Sequence, residues 1–331
     1  MKKRYIKRSI NYKKSISKKK KNKYQFKAKK KSKKLFYVFR MIKFLFLILL
    51  IHFHSFCYNH SKKIIDNFYK KRIAYLKGRR IHYNESNLIT FTDKINWLTI
   101  HDVTNLKTKC ADKILLHEYS KRVLKKDICN KILKIYDNAD QININELPEQ
   151  FVLKTNHGSS FNIIVSNRAE FNLENAKKKL TKWLSIDYGK NTREFHYSFI
   201  KRKLFAEKYL RKDINDYRLF CFHGIPRYAY VSQKIDNIKY ATYFDMDWKQ
   251  LDYECDYPNH PTAINLKPKN FELMKKYARK LSKPFKFVRV DFYEFNNEVR
   301  LGELTFSPRN SFTRCKNRKH EIELGKYLKL F

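Results

Sequence analysis

Two carboxylates near the C-terminus have a spacing that suits a divalent metal ion. Asp291 lies in the strand-like run 287–293, and Glu303 lies in a second such run after the polar turn 296–298. This pattern predicts a β-hairpin with one acid on each strand. Mg²⁺ prefers oxygen ligands and keeps substrate phosphates as further partners. The hairpin therefore predicts a magnesium site, and a strand pair with two solvated acids is the simpler alternative.

A loop of small residues has the composition expected of a phosphate-binding loop. Lys154 ends the predicted strand 151–154, and the loop 154–160 connects it to the predicted strand 163–165. Backbone N–H groups of such a loop can surround a phosphate anion. The pattern predicts a loop that covers nucleotide phosphates, whereas an ordinary hairpin loop with an exposed lysine is the alternative.

A third motif pairs an acid with an arginine. Asp216 and Arg218 are two residues apart on a predicted strand, so their side chains share one face. A carboxylate suits a ribose hydroxyl, and the donor fork of arginine suits phosphate oxygens. The segment 206–210 just before them is similar to an inter-domain hinge. A same-face surface ion pair is the alternative explanation.

The elements that position these residues mix helices with hairpins. Helical periodicity covers 93–135 with an interruption near Asp127 and Ile128. Helices are also expected at 173–185 and 269–283, and a last helix is expected after Cys315. Further strands are expected at 205–210, 216–222 and 227–233. This mixture predicts the α+β class.

The order of the motifs resembles the ATP-grasp fold, and in particular the TupA-like ATP-grasp family. The matching segments fall within residues 90–331 and are 92–98, 108–113, 150–162, 206–210, 216–226, 243–248 and 288–308. The resemblance implies two α+β subdomains that clasp ATP, with a boundary near residue 206. It also implies an ATP-dependent carboxylate–amine ligase linked to bacterial cell-surface polysaccharide synthesis, with an anionic glycan, uronic acid or amino acid as substrate.

The resemblance further implies a role for each motif residue, with ATP and Mg²⁺ as cofactors. The implied nucleotide-binding residues are Lys113, Lys154, Asn156, His157, Gly158, Ser159, Ser160, Glu207, Lys208, Tyr209, Leu210 and Asp216. Arg218 would contact the reacting phosphate, and Arg289 would steady an acyl-phosphate. Asp291 and Glu303 would bind Mg²⁺.

Several positions depart from the usual ATP-grasp pattern. Ser159 and Ser160 stand where relatives usually have a glycine-rich lid, and Arg309 and Asn310 follow Pro308 where glycine is common. Thr305 stands where many ATP-grasp enzymes carry an asparagine ligand, although TupA-like relatives share this threonine. Loss of glycine removes backbone freedom near the phosphates. Two functions therefore stay open: a ligase, and a non-catalytic relative that binds a nucleotide or an anionic glycan.

The positive charge is concentrated at the N-terminus. The chain has a net charge of +43, and residues 1–80 hold 28 Lys and Arg against one acid. Residues 1–34 contain no acid and are expected to form a disordered basic arm. Such an arm favours anionic partners, but it lacks a base-reading motif, so specific nucleic-acid binding is the less favoured function.

An apolar run follows the basic arm. Residues 35–60 are long and apolar enough to form a single-pass membrane anchor, followed by a basic linker at 61–90 and the ATP-grasp domain at 91–331. If translation begins at Met41, the run has the shape of a signal peptide, although no small-residue cleavage site follows. The side of the membrane that holds the domain is left open.

The six cysteines are widely spaced and include no C-x-x-C pair. This spacing predicts scattered buried thiols rather than a disulfide framework or a zinc cluster.

Overall fold

The computed structural model describes residues 63, 66–67, 70–75, 83–210, 214–235, 238–260, 262, 266–311, 313 and 315–331. The predicted basic arm and the predicted anchor at 35–60 lie outside these residues. Within the described ranges, no helix combines the length and the apolar content that a bilayer crossing requires.

The described elements form an α+β fold, as the sequence predicts. The helices are α1 (Phe91–His101), α2 (Asn105–Ala111), α3 (Leu115–Leu124), α4 (Leu173–Ser185), α5 (Tyr188–Thr192), α6 (Phe271–Ser282) and α7 (Arg318–Lys326). The strands are β1 (Ile132–Tyr136), β2 (Phe151–Thr155), β3 (Asn162–Val165), β4 (Leu204–Lys208), β5 (Asp216–Phe222), β6 (Ile225–Ile235), β7 (Ile238–Asp245), β8 (Phe287–Phe295) and β9 (Glu298–Thr305).

The smaller sheet has four antiparallel strands in the order β1-β4-β2-β3. Helix α4 packs on it because Ala176 and Leu180, one turn apart, form its buried face. The side chain of Asn172 caps this helix by accepting the N–H of Asn175 at 2.9 Å. The chain leaves the smaller sheet after Lys208. Residue 206, near which the subdomain boundary was expected, lies inside strand β4.

The larger sheet has five antiparallel strands in the order β7-β6-β5-β8-β9. Along β8, Val288, Val290 and Phe292 belong to the core that contains residues of α6. Since strand side chains alternate between faces, Arg289 and Asp291 lie on the opposite face. That alternation brings charged groups to one side of an otherwise apolar strand.

Two of the predicted elements need correction. The helical pattern predicted for 93–135 ends at Leu124, and Ile132–Tyr136 is instead strand β1, paired with β4. The strand predicted at 205–210 ends at Lys208. Strand β1 was missed because its short run of alternating residues carries a weak local signal, and its pairing comes from a partner about 70 residues away.

The prediction of scattered thiols is wrong for one pair. Cys255 and Cys315 form a disulfide across an isolated antiparallel bridge, at a sequence separation of 60. Among the described cysteines, Cys110, Cys129 and Cys221 are buried thiols. The spacing of the pair gave no signal because the contact is made by two loops that only the tertiary fold brings together.

Candidate active site

A cavity of about 450 Å³ lies between the two sheets. It brings together most of the residues that the sequence singled out: Lys113, Lys154, Gly158, Ser159, Ser160, Glu207, Lys208, Tyr209, Leu210, Asp216, Arg218, Asp291 and Glu303. Three predicted site residues, Asn156, His157 and Arg289, are described by the structure but do not line this cavity. Each of the three instead contacts residues that do line it or that support its walls.

Strand register places the charged residues of the larger sheet in one row. Arg218 on β5 is opposite Asp291 on β8, and Asp291 is opposite Glu303 on β9. Side chains directly opposite each other on antiparallel strands have Cβ atoms about 4.5–5.5 Å apart. The arginine and both carboxylates therefore meet on one face at the floor of the cavity.

Arginines neutralise this pair of acids. Arg289 donates from Nε to Asp291 Oδ1 at 2.7 Å and from Nη2 to Asp291 Oδ2, and its Nη2 lies 3.3 Å from Glu303 Oε1. Arg218 Nε lies 3.6 Å from Asp291 Oδ2, and its Nη2 donates to Asp216 at 2.7 Å. A buried carboxylate requires such partners, because its desolvation is costly.

The two carboxyls have opposite pKa shifts. Burial raises the pKa of Asp291 to about 6, although Arg289 and Arg218 act against it. Burial also acts to raise the pKa of Glu303, but the charges of Lys113, Arg289 and Arg218 outweigh it and lower that pKa to about 2. Glu303 is therefore the carboxylate that stays ionised throughout the neutral range.

The donor set at the floor suits a hard cation. Asp291 and Glu303 offer carboxylate oxygens, and the Thr305 hydroxyl donates to Glu303 Oε1 at 2.9 Å. The Glu303 side chain is 38% exposed and lines the cavity, so its carboxylate is accessible from the cavity. A set of oxygen donors beside an open cavity fits a hard cation such as Mg²⁺.

Lysines form the opposite wall. Lys113 lies between α2 and α3, and its Nζ donates to the carbonyl of Gly158 at 2.6 Å. Burial lowers the pKa of Lys113. Lys154 on β2 pairs with Glu207 on β4. Both ammonium groups thus border the same space as the carboxylates, with a partner that holds each in place.

The predicted phosphate lid divides into a buried part and a cavity-facing part. The Asn156 amide donates to Asp112 Oδ2 and to the carbonyl of Lys201, and its carbonyl oxygen accepts the N–H of Lys203 at 2.8 Å. His157 is fully buried, and burial lowers its pKa to about 4. These two residues tie the loop to its neighbours, and the segment 158–160 faces the cavity.

Aromatic packing supports the cavity-facing part of the lid. Phe161 stacks on Trp183 at 5.4 Å between centroids and contacts Tyr188 edge-on. Gly158 has φ +74°, and a Cβ added there would lie 2.7 Å from the Tyr188 ring. Ser160 also has a positive φ, 64°. Aromatic packing therefore lies directly beside the positive-φ segment of the lid.

Sequence reasoning missed one polar group at the edge of the cavity. Asp127 accepts from the His117 ring at 2.6 Å and from the N–H of Cys129 at 2.9 Å, and ligand atoms of the three residues lie within 4.8 Å of one another. His117 and Cys129 line the cavity. The only local signal in the sequence is the spacing Asp127-x-Cys129, because His117 lies in the preceding helix, α3. The hydrogen bonds to Asp127 account for this arrangement.

Two antiparallel sheets with a lysine-lined and carboxylate-lined cavity between them define an ATP-grasp protein. The model of one family, TupA-like ATPgrasp, matches residues 93–329. The chain belongs to this TupA-like ATP-grasp family, as its motif order indicated.

Solved structures with low sequence identity to this chain include ligases. The D-alanine–D-alanine ligase from Bacillus anthracis complexed with ATP is 16% identical with a TM-score of 0.35, covering 60% of this chain and 53% of its own. The same enzyme from Helicobacter pylori is 19% identical with a TM-score of 0.35, covering 66% of this chain and 61% of its own. The chain thus spans about half to three-fifths of their length. No curated protein sequence matches the chain.

Proposed function

We propose that this protein binds Mg-ATP in the cavity and uses it to join a carboxylate to an amine. One observation carries the proposal. The register of the larger sheet aligns Arg218, Asp291 and Glu303 in a row, and this row faces Lys113 and Lys154 across the cavity. This arrangement places cationic groups for phosphates and oxygen ligands for a metal in one cavity.

The residues act by holding charge rather than by forming covalent bonds. Lys113, Lys154 and Arg218 hold the phosphates, and Glu207 to Leu210 border the adenine. Asp291 and Glu303 would hold Mg²⁺, which would supply positive charge to neutralise the phosphates. Preorganised cations stabilise the charge that develops as phosphate is transferred.

The proposed reaction has two steps. An oxygen of the substrate carboxylate attacks the γ-phosphorus, the bond to the β-phosphate oxygen breaks, and ADP leaves. The amine then attacks the acyl carbon, loses a proton and displaces inorganic phosphate, which leaves an amide. Arg289 does not line the cavity, so its part is to hold Asp291 in place rather than to contact the acyl-phosphate. No protein nucleophile is required.

The substrate class and location are proposed from the family and the charge. We expect the carboxylate and amine to come from a cell-surface polysaccharide, a uronic acid or an amino acid. Residues 81–331 keep 46 Lys and Arg against 30 acids, a net charge of +16, which favours anionic substrates. Residues 35–60 are proposed to hold the protein at a membrane.

A non-catalytic nucleotide- or glycan-binding protein is the second candidate. It is favoured by the bidentate contact of Arg289 with Asp291, which engages both oxygens of one proposed ligand. Thr305 in place of an asparagine ligand favours it as well. Binding of specific nucleic acid is a weaker third candidate.

The test starts with the thermal stability of the full chain. A ligand at 100 times its dissociation constant stabilises the folded state by about 2.7 kcal/mol, so Mg-ATP should raise the melting temperature. Asp291→Asn and Glu303→Gln should abolish this shift. Glu298→Gln is the matched control, because Glu298 lies on the same strand and pairs with Arg300 outside the cavity.

Release of ADP then separates the two candidates. Wild-type protein is incubated with Mg-ATP and a panel of uronic acids and amino acids. ADP release that depends on one carboxylate supports the ligase. A stable shift without ADP release supports the non-catalytic candidate, and a wild type with no shift refutes the ligase and nucleotide binding alike.

A further inference from the structure

A short segment that precedes residues 93–329, the range matched by the family model, packs into the domain. Residues 70–75 are helical, and Arg72 is fully buried. This segment falls in the stretch that the sequence predicted as a basic linker. A buried arginine is rare unless it is paired, so its partners indicate what the segment does.

The guanidinium of Arg72 binds three parts of the fold at once. Its Nη1 and Nη2 donate to the side-chain and main-chain oxygens of Asn310, both at 2.8 Å. Its Nε and Nη2 donate to Asn96 Oδ1 at 3.1 and 2.6 Å, and Nη1 donates to the carbonyl of Thr192 at 3.1 Å. The planar fork of donors in arginine fits this set, and lysine has no such fork.

The turn that Arg72 binds has an unfavourable backbone. Arg309, Asn310 and Ser311 all have positive φ, at 54°, 54° and 61°. Residues with a Cβ adopt this region only when their surroundings enforce it. Asn96 adds to the restraint by donating to the carbonyl of Ser311 at 3.1 Å.

The same turn follows directly after the strand that carries Glu303. Strand β9 ends at Thr305, the N–H of Asn310 donates to the carbonyl of Ser307 at 2.9 Å, and the Ser307 hydroxyl donates to the buried Glu194. The turn therefore fixes the end of β9. It begins two residues after Thr305, whose hydroxyl donates to Glu303.

We propose that Arg72 is a positioning residue, which holds the turn 307–311 and thereby keeps Glu303 in the geometry that binds Mg-nucleotide. This inference rests on the proposed function. It extends the site to a segment that lies outside residues 93–329, the range of the family. Arg72 contributes no contact to the cavity itself.

The test compares nucleotide affinity with and without Mg²⁺ in the full chain. Arg72→Ala should weaken the Mg²⁺-dependent part of ATP affinity about tenfold, within the usual range for coupling between sites. Added guanidinium ion should restore part of it, whereas Arg72→Lys should not behave as wild type. Lys94→Ala is the control, since Lys94 donates to the carbonyls of Gly325 and Leu328 at 2.7 and 2.8 Å, away from the turn.

A second variant keeps the test decisive if Arg72→Ala folds poorly. Asn310→Gly relieves the positive φ, because glycine adopts this region readily. The double variant Arg72→Ala/Asn310→Gly should therefore bind Mg-ATP better than Arg72→Ala. Equal binding by the two variants, or unchanged Mg²⁺ dependence in a folded Arg72→Ala, overturns the proposal.

Hydrogen exchange separates this inference from the proposed function. Without nucleotide, amides of 303–311 should exchange faster in Arg72→Ala than in wild type and in Lys94→Ala. A wild type that binds no Mg-ATP refutes the proposed function, and the exchange result still decides whether Arg72 holds the turn. Unchanged exchange in that segment refutes the role of Arg72.

Discussion

The lid glycine offers a quantitative test of how the loop is held. In Gly158→Ala the new Cβ would meet Tyr188 at 2.7 and 2.9 Å and Phe161 at 3.2 Å, at a φ of +74°. The left-handed backbone costs about 1–2 kcal/mol for a residue with a Cβ. Overpacking against the ring costs about 1–3 kcal/mol more. The lower entropy of the unfolded alanine chain offsets about 0.4–1 kcal/mol. We expect a net loss of about 2–3 kcal/mol.

A second glycine separates the two costs. Gly224 has a similar φ, +78°, and its added Cβ would meet Lys283 Cα at 3.1 Å, which is tight but longer than the 2.7 Å contact at Gly158. Gly224 lies in the β5–β6 turn and does not line the cavity. Urea denaturation of Gly224→Ala should therefore show the backbone cost with a smaller packing cost, about 1–2 kcal/mol.

Nucleotide binding provides the second readout. Gly158→Ala should weaken binding of ATP, since it displaces the loop whose Gly158 carbonyl holds Lys113. Gly224→Ala should leave binding unchanged. The reasoning fails if the two variants lose equal stability, or if Tyr188→Leu does not return part of the loss in Gly158→Ala.

Three further predictions concern single contacts. Burial lowers the pKa of His196 from 6.5 to about 3, so the unfolded chain binds a proton that the folded chain does not, and stability should fall as the pH drops from 6.5 toward 3. Urea midpoints should show a shallower fall in His196→Phe. Lys154→Met should weaken binding of ATP more than binding of AMP in calorimetry, because Lys154 is proposed to hold outer phosphates; equal losses contradict this. Cys255→Ser/Cys315→Ser should lower stability by about 2–5 kcal/mol, and a reductant should lower the melting temperature of wild type but not of this variant.

The parts of the site that sequence could predict depend on short-range periodicity. Asp216 and Arg218 share a face because strand side chains alternate, and they form an ion pair at 2.7 Å. The hairpin with Asp291 and Glu303 follows from a polar turn between two apolar runs, and the register places the acids opposite each other. These features need only neighbouring residues, so they are readable from one sequence.

Other parts could not be predicted, because they depend on contacts between distant segments. Lys113 meets the carbonyl of Gly158 across 45 residues, and Arg72 meets Asn310 across 238. The division of the lid into a buried and an exposed part follows from the position of Asn156 beside Asp112. None of these partners leaves a periodic signal, since each is fixed only when the sheets pack.

Two segments near the cavity combine non-glycine residues with positive φ. The chain has only 6 glycines, and Ser160 in the lid and Arg309 in the turn after β9 both have positive φ. Half-buried aromatic rings pack beside the lid, and the buried Arg72 binds the main chain of the turn. These contacts restrain both segments from outside the cavity. It follows that substitutions of Trp183 or Arg72, which do not line the cavity, should impair nucleotide binding more than substitution of an exposed lysine such as Lys178.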